Sequence, residues 1–186
     1  MNEGVKNKVR DSIHFDFERK NNEGLNCYAY AIGIDLKEKD ACSYAFNPGQ
    51  MGTYITYSDD YDLYKTMCTL LYSKSFEERF MFDMQALDID VDYASESEDS
   101  EYIDNEGYFN WLVAMYKLKP RFLQLSDLHF LRKTASGIWV HKLGHDGNPS
   151  NLDENGNIIT TLPEQLAYSK KRVYNNPSVY KLRMKR

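Results

Sequence analysis

The clearest structural signal in the sequence lies in its second half, in Asp127-Leu-His-Phe-Leu-Arg-Lys-Thr-Ala-Ser-Gly-Ile-Trp-Val-His-Lys142. Two runs rich in aromatic and branched residues lie on either side of Thr134-Ala-Ser-Gly137. Such runs, separated by a short segment that ends in glycine, are typical of a β-hairpin. We therefore predict two antiparallel strands, with His129 on the first and His141 at a comparable height on the second.

The same reasoning extends outward from this hairpin. Strands are predicted over residues 110–118, 128–133, 138–143 and 179–184, with turns over 134–137, 145–148 and 154–157. Between Asp60 and Leu87, apolar residues recur at spacings of three and four, which predicts two amphipathic helices separated near Ser73–Ser75. A helical first half followed by an antiparallel sheet gives an α+β fold, and 186 residues fit one domain.

Charge is distributed unevenly along the chain. Residues 83–106 contain ten acidic residues and no Lys or Arg, whereas residues 169–186 contain seven basic residues and no acidic ones. The acidic segment is expected either to be solvated or to dock on the basic C-terminus or beside a cleft. A short basic tail without a recognisable nucleic-acid motif makes nucleic acid an improbable partner.

The N-terminus and the hydropathy pattern bear on location. Residues 1–16 contain no uninterrupted apolar segment of the kind found in a secretory signal, so a cytoplasmic location is expected, with leaderless export as the route to any outside substrate. No apolar run approaches the ~20 residues of a membrane-spanning helix. No membrane association is expected.

Three cysteines, Cys27, Cys42 and Cys68, are too widely spaced for a Cys-x-x-Cys pair. This pattern argues against a disulfide framework and against a structural zinc site, and it leaves a free thiol to be explained. Burial is the plain explanation, because a free cysteine is among the most buried residue types.

Cys27 has the local sequence of a reactive thiol. Asn26 is a favourable N-cap residue, and Gly33 is a favourable C-terminal residue, so a short helix is predicted between them. Cys27 then lies in the first turn, where backbone N–H groups and the helix dipole favour a thiolate. Its pKa is expected to fall.

A cysteine nucleophile needs a base, and the base needs a group that orients it. His129 and His141 lie on the two strands of the predicted hairpin, so one can act as base while the other holds its ring. Asp127 is a further group able to hold either ring. The alternative is one hydrogen-bonded core histidine and one surface histidine.

In this order, Asn26-Cys27 at a helix start, His129 at a strand start and His141 on the next strand resemble the NlpC-like branch of the papain-like cysteine peptidases. The chain is also similar to a group of uncharacterised bacterial proteins of this type. Five motifs occur in the same order: Asn-Cys-Tyr-Ala-Tyr-Ala from Asn26, Asn47-Pro-Gly, Asp-x-His-Phe-x-Arg from Asp127, Gly-x-Trp-x-His-Lys-x-Gly from Gly137 and Asn155-Gly-Asn-Ile. The similar parts cover roughly residues 24–52 and 107–160.

The resemblance implies a single papain-like domain, 1–186, in which N-terminal helices pack on a C-terminal antiparallel sheet and 53–106 form a helical and acidic insertion. It assigns the nucleophile to Cys27, the general base to His129 and the orienting group to His141. Spacing alone leaves open which histidine is the base. The usual Asp-Cys-Ser-Gly is replaced by Asn-Cys-Tyr-Ala, so a different substrate groove is expected.

Mechanism suggests the remaining parts of a site. A tetrahedral oxyanion needs hydrogen-bond donors, for which the Cys27 backbone N–H is the natural first candidate and Asn26 or Asn21 a second. Tyr28 and Trp139 are candidate substrate contacts, although aromatic residues in such positions are more often part of the core.

The function expected from these residues is a cysteine hydrolase that cleaves an amide bond of a peptide or peptidoglycan stem through an acyl-enzyme. A thiol-dependent acyltransferase or deamidase would use the same residues. A different class is a non-catalytic binding or inhibitory module that uses either the acidic segment 83–106, which could contact a protein partner, or the basic tail 169–186. Zinc held by Cys27, His129 and His141 is a further alternative, but no motif supports it, and no cofactor is expected.

Overall fold

The computed structural model describes residues 2–13, 25–34, 47–57, 73–118, 127–143, 147–169 and 172–185. These ranges contain four helices: α1 (Glu3–Asp11), α2 (Cys27–Ile32), α3 (Gln50–Tyr57) and α4 (Phe76–Ala86). They also contain eight strands: β1 (Asp90–Tyr93), β2 (Tyr102–Ile103), β3 (Tyr108–Leu118), β4 (Leu128–Lys133), β5 (Trp139–Lys142), β6 (Pro149–Ser150), β7 (Gln165–Ser169) and β8 (Arg172–Lys185). The predicted combination of helices with an antiparallel sheet is confirmed.

The eight strands form one sheet with the order β1-β8-β3-β4-β5-β6, and β2 and β7 pair with β3 and β8. The long strands β3 and β8 lie at its centre and pair antiparallel. All four predicted strands are present, as parts of β3, β4, β5 and β8. Strands β1, β2, β6 and β7 were not predicted. Apolar and polar residues do alternate through β1, over residues 89–93, but this strand lies in the acidic segment, which was interpreted by its charge.

Helix α4 confirms the second of the two predicted amphipathic helices. Ser75 caps it, accepting a hydrogen bond from the Glu78 N–H, while the Glu78 carboxylate accepts one from the Ser75 N–H. This reciprocal pair is a capping box, and it explains why the helix begins there. The first predicted helix of the pair lies largely outside the described residues.

The alternation of side chains along β3 and β4 divides the interior into two cores. One core contains side chains of all four helices together with residues of β3, β4 and β8, including Phe80, Trp111 and Phe130. The other contains side chains from the opposite face of β3 and β4 together with Trp139, Leu166 and Tyr174. Successive residues of β4 therefore belong to different cores. The side chains of Leu128 and Phe130 lie in the first core, and the side chain of His129 lies on the opposite face of the strand.

The acidic segment docks on the basic C-terminus, which was one of the two arrangements expected from the sequence. Strand β1 pairs with β8, so Asp90 and Asp92 lie opposite Arg183 and Lys181. Beyond β1, Glu98 forms an ion pair with Lys181 at 3.4 Å, and Arg183 Nη2 lies 3.0 Å from Asp104 and 2.6 Å from Glu106. Much of the local charge is thereby compensated within the chain.

A membrane-spanning helix would have to be both long and apolar, and none of the helices in the described ranges meets that condition.

Candidate active site

Helix α2 presents Cys27 at its first position. The Asn26 side-chain oxygen accepts a hydrogen bond from the Ala29 N–H at 2.9 Å, which caps the helix. Gly33 ends it with φ 81°, a left-handed conformation that favours glycine, and donates its N–H to the last turn. The predicted helix and both of its boundary residues are confirmed.

The Cys27 sulfur lies against the backbone of β4. Its thiol donates to the Leu128 carbonyl with a sulfur–oxygen distance of 3.9 Å, and the Phe130 N–H also contacts the sulfur. These two backbone groups flank His129 in the chain. The Cys27 sulfur therefore contacts the backbone of the strand that carries the base candidate. Cys27 packs against the core that contains Leu128 and Phe130, whereas the His129 side chain lies on the opposite face of β4.

The expected lowering of the Cys27 pKa is not observed. Burial, together with the smaller effect of the Asp127 charge, raises the pKa to about 11, because the opposing effect of the Phe130, Tyr28 and Cys27 N–H groups is too small to compensate. Desolvation disfavours the charged form of a thiol. The sulfur is consequently protonated at neutral pH.

His129 and His141 contact each other. His129 Nε2 lies 3.2 Å from His141 Nδ1, and the two rings meet edge-on at 79° with centroids 5.1 Å apart. His141 Nε2 lies 3.1 Å from the Leu152 carbonyl oxygen. Both side chains are buried, with 4% and 1% of their surface exposed.

The register corrects the expectation that the two histidines lie at comparable heights. His141 pairs with Leu131, two residues beyond His129 on β4. Both histidines still share one face of the sheet, because residues two apart on a strand point the same way. They meet as diagonal neighbours, which lie within reach of each other for large side chains.

Burial keeps both rings neutral. It holds the pKa of His129 well below the ordinary value of 6.5, and protonation of His141 would lower it further by repulsion between the two charged rings. Burial also lowers the pKa of His141, although its hydrogen bond to the Leu152 carbonyl raises it in part. A neutral imidazole has one N–H donor and one acceptor nitrogen, so the hydrogen bonds define the tautomers.

The tautomers follow from the Leu152 carbonyl, which can only accept a hydrogen bond. His141 Nε2 must then carry the proton, and its Nδ1 becomes an acceptor. His129 Nε2 donates to that acceptor, which leaves the Nδ1 lone pair as the basic position of His129. The arrangement favours His129 as the base and His141 as the group that orients it.

The Asp127 carboxylate accepts hydrogen bonds from groups other than the two histidines. Its Oδ1 accepts from the Leu128 N–H at 2.9 Å, and its Oδ2 accepts from the Tyr174 hydroxyl at 2.7 Å. The Tyr174 ring also packs near His129, with ring centroids 5.5 Å apart. Tyr174 thus links the Asp127 carboxylate to the base candidate.

Tyr174 was not identified from the sequence. It reaches the site because β8 and β4 both pair with β3, where Leu118 lies opposite Tyr174 and Tyr116 lies opposite His129. The basic, irregular sequence around Tyr174 gives no sign of this pairing. Only the order of the strands in the sheet could have revealed it.

The remaining candidates are placed as follows. The Asn26 side chain caps α2 and also donates to Asn47 Oδ1 at 3.5 Å, so it serves the helix start. Tyr28 and Trp139 are both buried in the core, with 1% of their surface exposed, which is the alternative given for them above. Asn21 lies outside the described residues.

Within the described part of the chain, no group of three or more His, Cys, Asp or Glu side chains is placed to hold a metal ion. Cys27, His129 and His141 do not form such a group. The two histidines contact each other, and His141 also contacts the Leu152 carbonyl. The Cys27 thiol lies against the backbone of β4, the strand that carries His129.

Comparison of the chain with protein-family models and with curated proteins finds no match.

Proposed function

We propose that this protein is a cysteine hydrolase that cleaves an amide bond through an acyl-enzyme on Cys27. The observation that supports it best is the hydrogen-bonded series from the Leu152 carbonyl through His141 to His129, which ends on the strand that the Cys27 sulfur contacts. A buried histidine pair with defined tautomers provides a base with a fixed orientation.

The reaction begins with the Cys27 thiol and the His129 imidazole both neutral, so His129 acts as a general base. As the Cys27 sulfur attacks the amide carbonyl carbon, its proton passes to His129 Nδ1, and the carbonyl oxygen becomes an oxyanion. The Cys27 backbone N–H, in the first turn of α2, is the proposed donor to that oxyanion. His141 accepts the hydrogen bond of the imidazolium and keeps its ring in place.

The proton on His129 then leaves with the amine. The carbon–nitrogen bond breaks as the imidazolium protonates the nitrogen, which yields a thioester on Cys27 and a neutral His129. A water molecule attacks the thioester carbonyl, His129 takes its proton, and the carbon–sulfur bond breaks to give a carboxylic acid. The returned proton restores the thiol. An amine acceptor in place of water would make the same site an acyltransferase.

The contacts between α2 and β4 also support the proposal of a papain-like arrangement, in which a helix carrying the nucleophile lies against the strand that carries the base. We propose a peptide or a peptidoglycan stem as the substrate class and a cytoplasmic location. The acidic segment, which is largely paired with β8, contributes stability in this account.

A second candidate function is a non-catalytic binding module in which Cys27 is a packing residue. The observation that favours it is the raised pKa of Cys27, because a resting thiol is a weak nucleophile. The two candidates differ in whether the sulfur becomes acylated.

Hydrolysis assays with a set of peptides and peptidoglycan-stem fragments test the proposal. Wild type should release amine from at least one of them. Cys27→Ala and His129→Ala should lose that release while keeping the wild-type circular dichroism spectrum, and Cys68→Ala, which removes a different thiol, should keep it. Turnover retained by folded Cys27→Ala would contradict the proposal.

A further inference from the structure

Asp83 is a fully buried carboxylate that the proposed reaction does not use. It lies on α4 and has none of its surface exposed. Its Oδ2 accepts from the Tyr28 hydroxyl and from the Gly49 N–H, both at 2.6 Å, and its Oδ1 accepts from the Gly52 N–H at 2.6 Å. Burying a carboxylate costs free energy unless it is hydrogen-bonded, and these three donors provide that compensation.

The groups bound to Asp83 come from two other helices. Tyr28 belongs to α2 and directly follows Cys27, while Gly49 directly precedes α3 and Gly52 lies in its first turn. Backbone N–H groups at a helix start are left without partners in the helix itself, and a carboxylate satisfies them. One side chain therefore joins the nucleophile helix to the start of α3.

A second contact joins the same two segments on the other side of Cys27. Asn26, which directly precedes Cys27, donates from Nδ2 to Asn47 Oδ1 at 3.5 Å. The turn formed by Asn47, Pro48 and Gly49, here called the 47–49 turn, is thus tied to both chain neighbours of the nucleophile. Asn47 is its exposed member, whereas Pro48 and Gly49 are buried.

Helices α3 and α4 are in close contact at Gly52, where no larger side chain fits. A Cβ atom added to Gly52 would lie 2.8 Å from the Phe82 ring and 3.0 Å from the Phe82 carbonyl oxygen. Two non-hydrogen atoms at such a distance must move apart. Any side chain at position 52 would therefore push α3 away from the α4 backbone and from Asp83.

We propose that Asp83 is a positioning residue of the candidate active site, which fastens the 47–49 turn to both chain neighbours of Cys27 and so holds Cys27 in its half-buried position at the start of α2. This rests on the proposed function for its effect on hydrolysis. Its effect on the exposure of the Cys27 sulfur is independent of any reaction.

The first experiment measures the rate at which iodoacetamide alkylates Cys27 at pH 8, located by peptide mass spectrometry. Asp83→Asn replaces an acceptor with an amide group that cannot satisfy three donors, so the turn should loosen and the rate should rise several-fold. Gly52→Ala keeps the carboxylate but displaces α3, and it should raise the rate in the same direction.

Ser100→Ala is the matched control for lost stability. Ser100 is buried, donates to the Lys133 carbonyl at 2.7 Å and accepts from the Leu112 N–H at 2.9 Å. It lies beside the end of β4 that is four residues from His129. This variant should lose stability and keep the wild-type alkylation rate.

If Asp83→Asn does not fold, Gly52→Ala and Tyr28→Phe decide the question, and Tyr28→Phe should give the smaller increase because it removes one donor of three. Wild-type alkylation rates in the folded variants would overturn the proposal. Where a substrate is known, folded Asp83→Asn should lose about 10²-fold in kcat with little change in KM. Increased alkylation together with no hydrolysis by wild type would uphold the role of Asp83 and reject the hydrolase.

Discussion

His129 Nε2 lies 3.2 Å from His141 Nδ1, and this contact orders the candidate site. Because the Leu152 carbonyl accepts the other N–H of His141, the pair has a single consistent arrangement of protons. The basic nitrogen of His129 is thereby defined without any carboxylate. In the proposed reaction, His141 has the role that an aspartate or asparagine has in Cys-His and Ser-His sites.

Replacing His141 tests this role. His141→Phe removes the acceptor for His129 Nε2–H, so the ring can turn and change tautomer, and kcat/KM should fall by about 10²-fold or more. His141→Asn offers an amide oxygen as acceptor and should recover part of the loss. The comparison is made by steady-state kinetics, and equal activity of both variants with wild type would remove His141 from the site.

The pH dependence of Cys27 alkylation follows from its raised pKa. Only the thiolate reacts, and with a pKa of about 11 its fraction rises about tenfold for each pH unit below that value. The iodoacetamide rate should therefore climb through pH 8 to pH 10 without levelling off. A plateau below pH 8 would instead indicate a resting thiolate, stabilised by a charged His129.

Asp127 should have a measurable effect on that profile. Its negative charge disfavours the thiolate, so Asp127→Asn should lower the pKa of Cys27 and speed alkylation at pH 8. Tyr174→Phe removes the hydroxyl that donates to Asp127 but leaves the charge, so it should cost about 1 kcal/mol of stability with a smaller effect on alkylation. Alkylation slowed by Asp127→Asn would contradict the assigned sign.

Asp83 should make stability depend on pH. Burial raises its pKa from 3.8 to about 7, so the folded state binds more protons than the unfolded state between those values. The contribution of Asp83 to the free energy of unfolding is therefore largest below the unfolded-state pKa. It is lost as the pH rises through the folded-state pKa. Asn does not titrate, so the stability of wild type relative to Asp83→Asn should fall from about pH 4 to pH 7. Urea unfolding of both proteins across this pH range measures the difference in stability. If wild type instead gained stability relative to Asp83→Asn as the pH rose, the raised pKa of Asp83 would be refuted.

Local patterns carried the sequence predictions that are confirmed. Asn26 and Gly33 bound α2, and the predicted 134–137 turn lies between β4 and β5, because caps and turns depend on nearby residues. The helix that begins after Ser75 was predicted on the same grounds. Cys27, His129 and His141 were therefore identified as the residues to examine.

Features that depend on the arrangement of the whole chain were not predicted. Tyr174 enters the site through the order of strands, and the Asp83 hydrogen bonds join three helices that are distant in sequence. The pKa of Cys27 was given the wrong direction, because the helix start was visible in the sequence and the burial of the sulfur was not. Desolvation outweighs the helix dipole at this position.

The most direct test of the central claim is acylation of Cys27 by p-nitrophenyl acetate, followed by intact-protein and peptide mass spectrometry. The account predicts that Cys27 is acetylated faster than Cys42 and Cys68, and that His129→Ala slows this step at least tenfold while leaving the other two thiols unaffected. Acetylation of Cys27 at the rate of the other cysteines, or a rate unchanged in folded His129→Ala, would contradict a nucleophile served by that histidine.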